Sequence, residues 1–197
     1  MDENLPADIR DLLDQLEAVE RDAQALVAGL SKEQGTAQPR AGAWSVAECL
    51  DHLATANRVY LSAMQEPANR AQTSGRLRKR PAKPGWFGRL FISTLEPPPS
   101  RWSRLKAPRK IRPRTAPPLA DSFASFIASQ AEVREFLRAH ANLDLAGVRF
   151  PNPFIPVISF SLATGLHVIA AHERRHLWQA WRVRRGVEAG RSTEMPR

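Results

Sequence analysis

Ten of the chain's sixteen prolines fall between Pro67 and Pro118, three of them consecutive at Pro97, Pro98 and Pro99. A proline inside a helix removes a backbone donor and clashes with the preceding turn, at a cost of about 3 kcal/mol. No long helix is expected through that stretch, so the helical structure must lie on either side of it. Both sides read as helix. Ile9, Leu12, Leu13, Leu16, Val19, Leu26, Val27 and Leu30 recur at three- and four-residue steps, the apolar stripe of an amphipathic helix. A polar stretch, 31–43, follows, with Gly35, Pro39 and Gly42 as breakers. A second helix opens on a capping box, Ser45 with Glu48 three residues on, and Trp44 stands where a hydrophobic staple would. Its inward face is Val46, Cys49, Leu50, Leu53, Tyr60, Leu61 and Met64, and Pro67 is expected just past its end.

A third helix is predicted over about 119–140, on Phe123, Phe126, Ile127, Val133, Phe136 and Leu137. A second proline-marked loop, 150–156, leads into a fourth over about 159–185. Neither strand-like alternation of any length nor an internal repeat is visible. The pattern predicts an all-α fold: a four-helix bundle with a long basic, proline-rich connection between helices two and three. A length of 197 residues suits one domain. It is expected to span residues 1–190, with 70–118 as an inserted loop and 191–197 as a tail. Inside the loop Trp86, Phe87, Leu90, Phe91, Ile92 and Leu95 are apolar at helical spacing, which reads as a short helix or lid docked on the bundle. The rest of 70–114 is expected to be peripheral to folding.

That same segment carries the charge. Between Arg70 and Arg114 stand 14 Lys/Arg and one acid, Glu96, whereas the remainder carries 15 basic and 19 acidic residues. The net charge of +9 is therefore local. Basic residues interleaved with Trp86, Phe87, Phe91 and Trp102 suit three roles. They are a solvated flap over a site, capture of a small anion by Arg78, Arg80, Arg109 and Arg112, and contact with nucleic acid, the least favoured of the three. One cysteine, Cys49, forbids an intrachain disulfide. The first thirty residues lack the basic-then-apolar order of a signal peptide, and no run of 18 apolar residues occurs. A cytoplasmic location without membrane contact is expected.

The histidines point to chemistry. His172 and His176 stand four apart, one turn above the other on a helix face, so both imidazoles can meet one ion. They share a stripe with Ile169 and Val183, and His52 shares one with Cys49, Ala56 and Val59. All three should point inward and offer one face of a four- to six-coordinate ion, with positions left for water or substrate. The alternative is that they are hydrogen-bonded core residues without metal. The run His172-Glu173-Arg174-Arg175-His176 has the H-E-x-x-H order of a zincin, but Glu173 is not expected to act as a zincin's general base. His167 lies about 140° round the helix from His172 and should miss the ion. His140 ends the third helix, where a cation complements the dipole. Cys49 is either a thiolate near the ligands or a buried apolar-like residue, and Gln179 either holds a ligand ring or is an ordinary polar residue near a helix end.

The stretch Trp44-Ser45-Val46-Ala47-Glu48-Cys49-Leu50-Asp51-His52-Leu53, with the late His172-Glu173-Arg174-Arg175-His176-Leu177-Trp178-Gln179, resembles the DinB-like superfamily of bacterial four-helix proteins. The likeness covers the helices at both ends, roughly two-thirds of the chain, and leaves out the basic loop. It implies that His52, His172 and His176 are ligands of a divalent metal, usually zinc or nickel. Some members of that superfamily are thiol-dependent transferases using bacillithiol or mycothiol, and some are maleylpyruvate isomerases. Many form homodimers. The resemblance thus implies a metal-dependent transferase or hydrolase acting on a small electrophile, with a low-molecular-weight thiol as a further cofactor. The competing function is a non-catalytic module that binds metal, or binds nucleic acid or an acidic partner through the basic loop.

Overall fold

The computed structural model describes residues 4–98, 108–155 and 157–193, and is mostly helical. Of the basic segment, Arg101, Trp102, Arg104 and Lys106 lie outside the described residues, as does the 194–197 end of the expected tail. Four long helices carry the fold: α1 (Ala7–Val27), α3 (Val46–Thr73), α5 (Leu119–Ala139) and α6 (Leu162–Thr193). Between them come α2 (Lys32–Thr36), α4 (Trp86–Ser93) and a 3-10 turn (Arg109–Ile111). Two antiparallel strands, β1 (Arg149–Pro151) and β2 (Ser159–Ser161), pair Phe150 with Phe160. α1 and α3 each pack against both α5 and α6. No helix of the described residues is long and apolar enough to cross a membrane.

Local chemistry explains most starts and stops. The capping box at α3 forms: Ser45 Oγ accepts from the Glu48 amide at 3.2 Å, and Glu48 Oε2 accepts from the Ser45 amide at 2.8 Å. A second box, Ser31 with Gln34, starts α2 inside the stretch expected to be a polar joint. Gly35 masks that helix in the sequence, and its lack of a Cβ is structural, because one would sit 2.4 Å from Leu119 Cδ2. α3 does not stop at Pro67. It runs on to Thr73 because Tyr60, Met64, Pro67, Ala68 and Ala71 keep one buried face, and that burial outweighs one lost backbone bond. The β-pair was not foreseen, since three-residue strands are too short for alternation to register. It also moves the start of the last helix from 159 to Leu162.

The core falls into two apolar clusters along the helices. One gathers Ile9, Leu12, Leu16, Met64, Val133, Leu137, Phe150, Phe160 and Leu166. The other gathers Val19, Leu26, Leu50, Leu53, Phe126, Leu177 and Val183. Buried polar residues interrupt them at middle heights: His52 and Asn57 on α3, Ser129 and Gln130 on α5, Glu173 on α6.

The segment expected to be peripheral is woven into this core. Leu77 bridges to Leu143, and the Arg78 amide donates to the Asn142 carbonyl at 2.8 Å. Ala82 and Ile111 are buried. Asp8 of α1 pairs with Arg78 and accepts the Ala82 amide at 2.6 Å. Pro-rich sequence forbids a long helix, but not extended backbone whose donors and acceptors find partners elsewhere.

Asp8 gives a direct test. Burial raises its pKa, but the bonds from Ala82 and Arg78 outweigh burial and hold the carboxyl below its usual value. A pKa lower in the folded than in the unfolded chain stabilises above about pH 4 and loses that effect as pH falls. Asp8→Ala should cost about 2 kcal/mol in urea unfolding at neutral pH, and clearly less at about pH 3. An equal cost at both would show that the carboxylate charge is not what anchors the segment.

Candidate metal centre

The Ser45 cap sets the register of α3, and His52 follows two turns later with its side chain inside. Its Nδ1–H donates to the Ile111 carbonyl of the 3-10 turn at 2.5 Å, which leaves Nε2 with a lone pair facing α6. There it meets His172, the two Nε2 atoms 3.2 Å apart. His176, one turn on, donates from Nδ1 to Gln179 Oε1 at 3.1 Å, so its Nε2 also carries the lone pair. Ring centroids are 5.0 Å apart for His52 and His172, 4.5 Å for His52 and His176, and 4.6 Å for His172 and His176. One nitrogen from each lies within 4.8 Å of the others, and among the described residues this is the one such group of three. Trp44 covers one flank, its ring 4.7 Å from His52 and 5.7 Å from His176. His172 and His176 are half-buried, so the group opens on one side.

The donors suit a divalent ion. Imidazole nitrogens bind zinc at about 2.0–2.1 Å, which places two ligands of one tetrahedral ion about 3.3 Å apart. The observed 3.2 Å is that spacing. Each ligand must also be neutral, and the surroundings make it so. Burial lowers the pKa of His52 against the pull of Ile111 and Asp51. Burial, with His52 and Arg175 nearby, pushes His172 down to about 3. His176 is held well below its ordinary value by burial, then by His172, His52 and Arg175.

The other residues named from sequence fall into place. Cys49 is sealed in the core, outside the imidazole group, and burial pushes its thiol up, away from thiolate. Gln179 touches His176 as described. Arg78 and Arg80 do not stand ready for an anion: Arg78 is paired with Asp8, and Arg80 lies by Asp144 and the Ala146 carbonyl. Arg109 and Arg112 are exposed on either side of Ile111. His167 meets the Ala82 carbonyl at 3.2 Å and lies outside the group. His140 is buried against Phe136, bonded to its carbonyl at 2.8 Å, so it is a core residue more than a surface cation.

Three contributors went unseen in the sequence. The Ile111 carbonyl is a backbone group 59 residues from His52 and leaves no side-chain signal. Trp44 stands where a staple is expected, yet its ring lies against His52 and His176. Asp51, next to His52, accepts from both the Arg114 amide and its Nε at 2.8 Å, tying the 3-10 turn's exit to the ligand helix. An open groove lined by Thr55, Arg58, Val59, Ser62, Ala63 and Pro153 includes none of the three histidines.

A family model described as the DinB superfamily matches residues 15–180. No curated protein and no solved structure matches the chain.

Glu173 lies on the same helix as His172 and His176 but is turned to the interior, where it accepts from Asn57 Nδ2 at 2.7 Å. Asn57 Nδ2 also reaches Ser129 Oγ at 3.0 Å. Burial pushes the Glu173 carboxyl up to about 7, against the pull of Asn57 and Gln130. A folded pKa above the unfolded one means the native chain holds the extra proton, so stability falls as pH rises from about 4.5 to 7. In chelator-treated protein, Glu173→Gln should therefore gain on the order of 2 kcal/mol at about pH 8 and nothing near pH 4.5. Paired denaturant curves at the two pH values check this. A variant less stable than the parent at the higher pH would mean that the ionised carboxylate is needed.

Proposed function

This chain belongs to the DinB superfamily, and on that premise we propose that it is a metal-dependent transferase. His52, His172 and His176 would hold one zinc or nickel ion, at which a low-molecular-weight thiol attacks a small electrophile. The observation that carries the reading is the convergence of three neutral imidazoles, two of them with the tautomer set by Ile111 and Gln179. A bound divalent ion supplies Lewis-acid polarisation and lowers the pKa of a coordinated thiol or water. This chain's residues do the rest. Ile111 and Gln179 orient rings, Trp44 excludes water from one flank, and the half-buried side of His172 and His176 admits ligands.

Among the described residues no side-chain base competes with that role. Asp51 is engaged by Arg114, Glu173 by Asn57, and Cys49 is sealed. Arg109 and Arg112 beside Ile111, with Arg175 close to His172 and His176, favour an anionic substrate or an anionic thiol. The four long helices are read as the family's four-helix bundle, with a homodimer as its assembly.

Purified protein should carry about one divalent ion per chain by elemental analysis, and His172→Ala/His176→Ala should lose it together with any thiol consumption. Stoichiometric metal in the double variant would sink the site. Metal-loaded protein that never consumes thiol with small electrophiles would leave the ion a structural role.

The pH response separates ligands from packed histidines. All three have lowered folded pKa values, so the unfolded chain binds more protons below about pH 6.5 and stability falls as pH drops through that range. Excess zinc or nickel should raise the thermal midpoint at about pH 7.5 and do so less at about pH 5.5, where protons compete for the imidazoles. A midpoint that metal shifts at neither pH makes these histidines plain core residues.

A further inference from the structure

Four of the large hydrophobic side chains exposed among the described residues lie within one short piece of chain: Leu77, Trp86 at 72% exposure, Phe87 and Leu90. Three of these are on α4, at spacing that puts them along one outward strip. Phe87, about half exposed, also turns one side to Phe160 at 6.4 Å, but Trp86 and Leu90 are not needed to dock the helix. Its inner side does that, with Gly88 so close to α6 that a Cβ would lie 2.7 Å from Thr164 Oγ1. Phe91 packs 5.0 Å from Phe160, and Ile92 and Leu95 are part-buried on the same cluster. The same piece of chain carries Lys79, Lys83 and Arg89, exposed, and none is paired with a carboxylate among the described residues. The one acid of the region, Glu96, is turned to Arg174. Other basic residues here are already committed, Arg76 and Arg80 to Asp144 and Arg78 to Asp8. What remains is an apolar centre with a rim of one sign.

That sign selects the occupant. A second copy would bring the basic rim against itself, which costs rather than gains. The stretch 99–107 carries Arg101, Arg104 and Lys106 and no acid, so it offers that rim no opposite charge. Nucleic acid would use the charges and could stack on Trp86 and Phe87, but it leaves the exposed Leu90 and Leu77 without an apolar partner. An anionic bilayer uses all of it: tryptophan settles at the headgroup level, leucine and phenylalanine reach the acyl boundary, and Lys and Arg meet phosphates. We propose that α4 docks this protein reversibly on membrane surfaces that contain anionic phospholipid, through Trp86, Phe87 and Leu90 with Lys79, Lys83 and Arg89. This surface was not foreseen from the sequence, from which no membrane contact was expected. It is independent of the metal centre.

The test is co-sedimentation of the full chain with vesicles, either equimolar phosphatidylglycerol and phosphatidylcholine or phosphatidylcholine alone. Binding is expected to the first and not the second, and to weaken with added salt. Trp86→Ser/Leu90→Ser and, separately, Lys83→Glu/Arg89→Glu should each reduce it at least about tenfold. Unchanged helical circular dichroism would show that either pair of exposed substitutions leaves the fold intact. The proposal is overturned by no binding, by equal binding to both vesicle types, or by binding that survives the Trp86/Leu90 change. It is also overturned if those substitutions abolish self-association or oligonucleotide binding while vesicle binding is absent.

Discussion

Three imidazoles set edge to face within a helical core must stay uncharged, and much of the surrounding structure follows from that requirement. His52, His172 and His176 lie where the two apolar clusters meet, with His52 almost wholly out of solvent. A proton on any one of them would face two other rings and the nearby Arg175 in a medium that solvates charge poorly. Neutral rings need hydrogen-bond partners that fix their tautomers, and two come from outside the packed faces: a carbonyl of the 3-10 turn and the Gln179 amide. Glu173, the buried acid at the same height, is kept apart by facing Asn57 and Gln130 instead of the rings. Separate faces of one helix thus hold histidines and acid without letting them pair.

The long helices and the meeting of the histidines were readable in the residues because both have a period. Ile9 to Leu26 and Phe126 to Leu137 repeat every three or four positions, and so do His172 and His176. The Ser45–Glu48 box announces the start of α3 for a local reason, two backbone donors needing acceptors. What could not be read depended on partners distant in sequence. Pro67 is tolerated because α3 has a core to lie against. The Ala82 amide is satisfied by Asp8, 74 residues away. Strands as short as β1 and β2 are made by each other and by Phe150 and Phe160, not by any pattern of their own.

The basic segment shows why a count of charges is a poor guide to partners. Its excess of Lys and Arg is drawn down by individual acids of the helical body: Asp8, Asp51 and Asp144 each take one or more of its arginines. These pairs do not all contribute equally, since an arginine more than half exposed is screened by water, while Arg78 and Asp8 are mostly enclosed. Together they hold the segment's described parts against α1, α3 and the turn that follows α5. The segment also brings α4 against α6, and carries the chain back to α3 beside His52.

The contact between Ile111 and His52 has an evolutionary corollary. A carbonyl oxygen belongs to every amino acid alike, so no single substitution can delete the acceptor that orients the ring. Side chains near that turn are thereby released to drift, while the number of residues delivering the turn to its position is constrained. Related chains would be expected to differ freely in what they spell there and to resist gaps that shift the backbone by one residue.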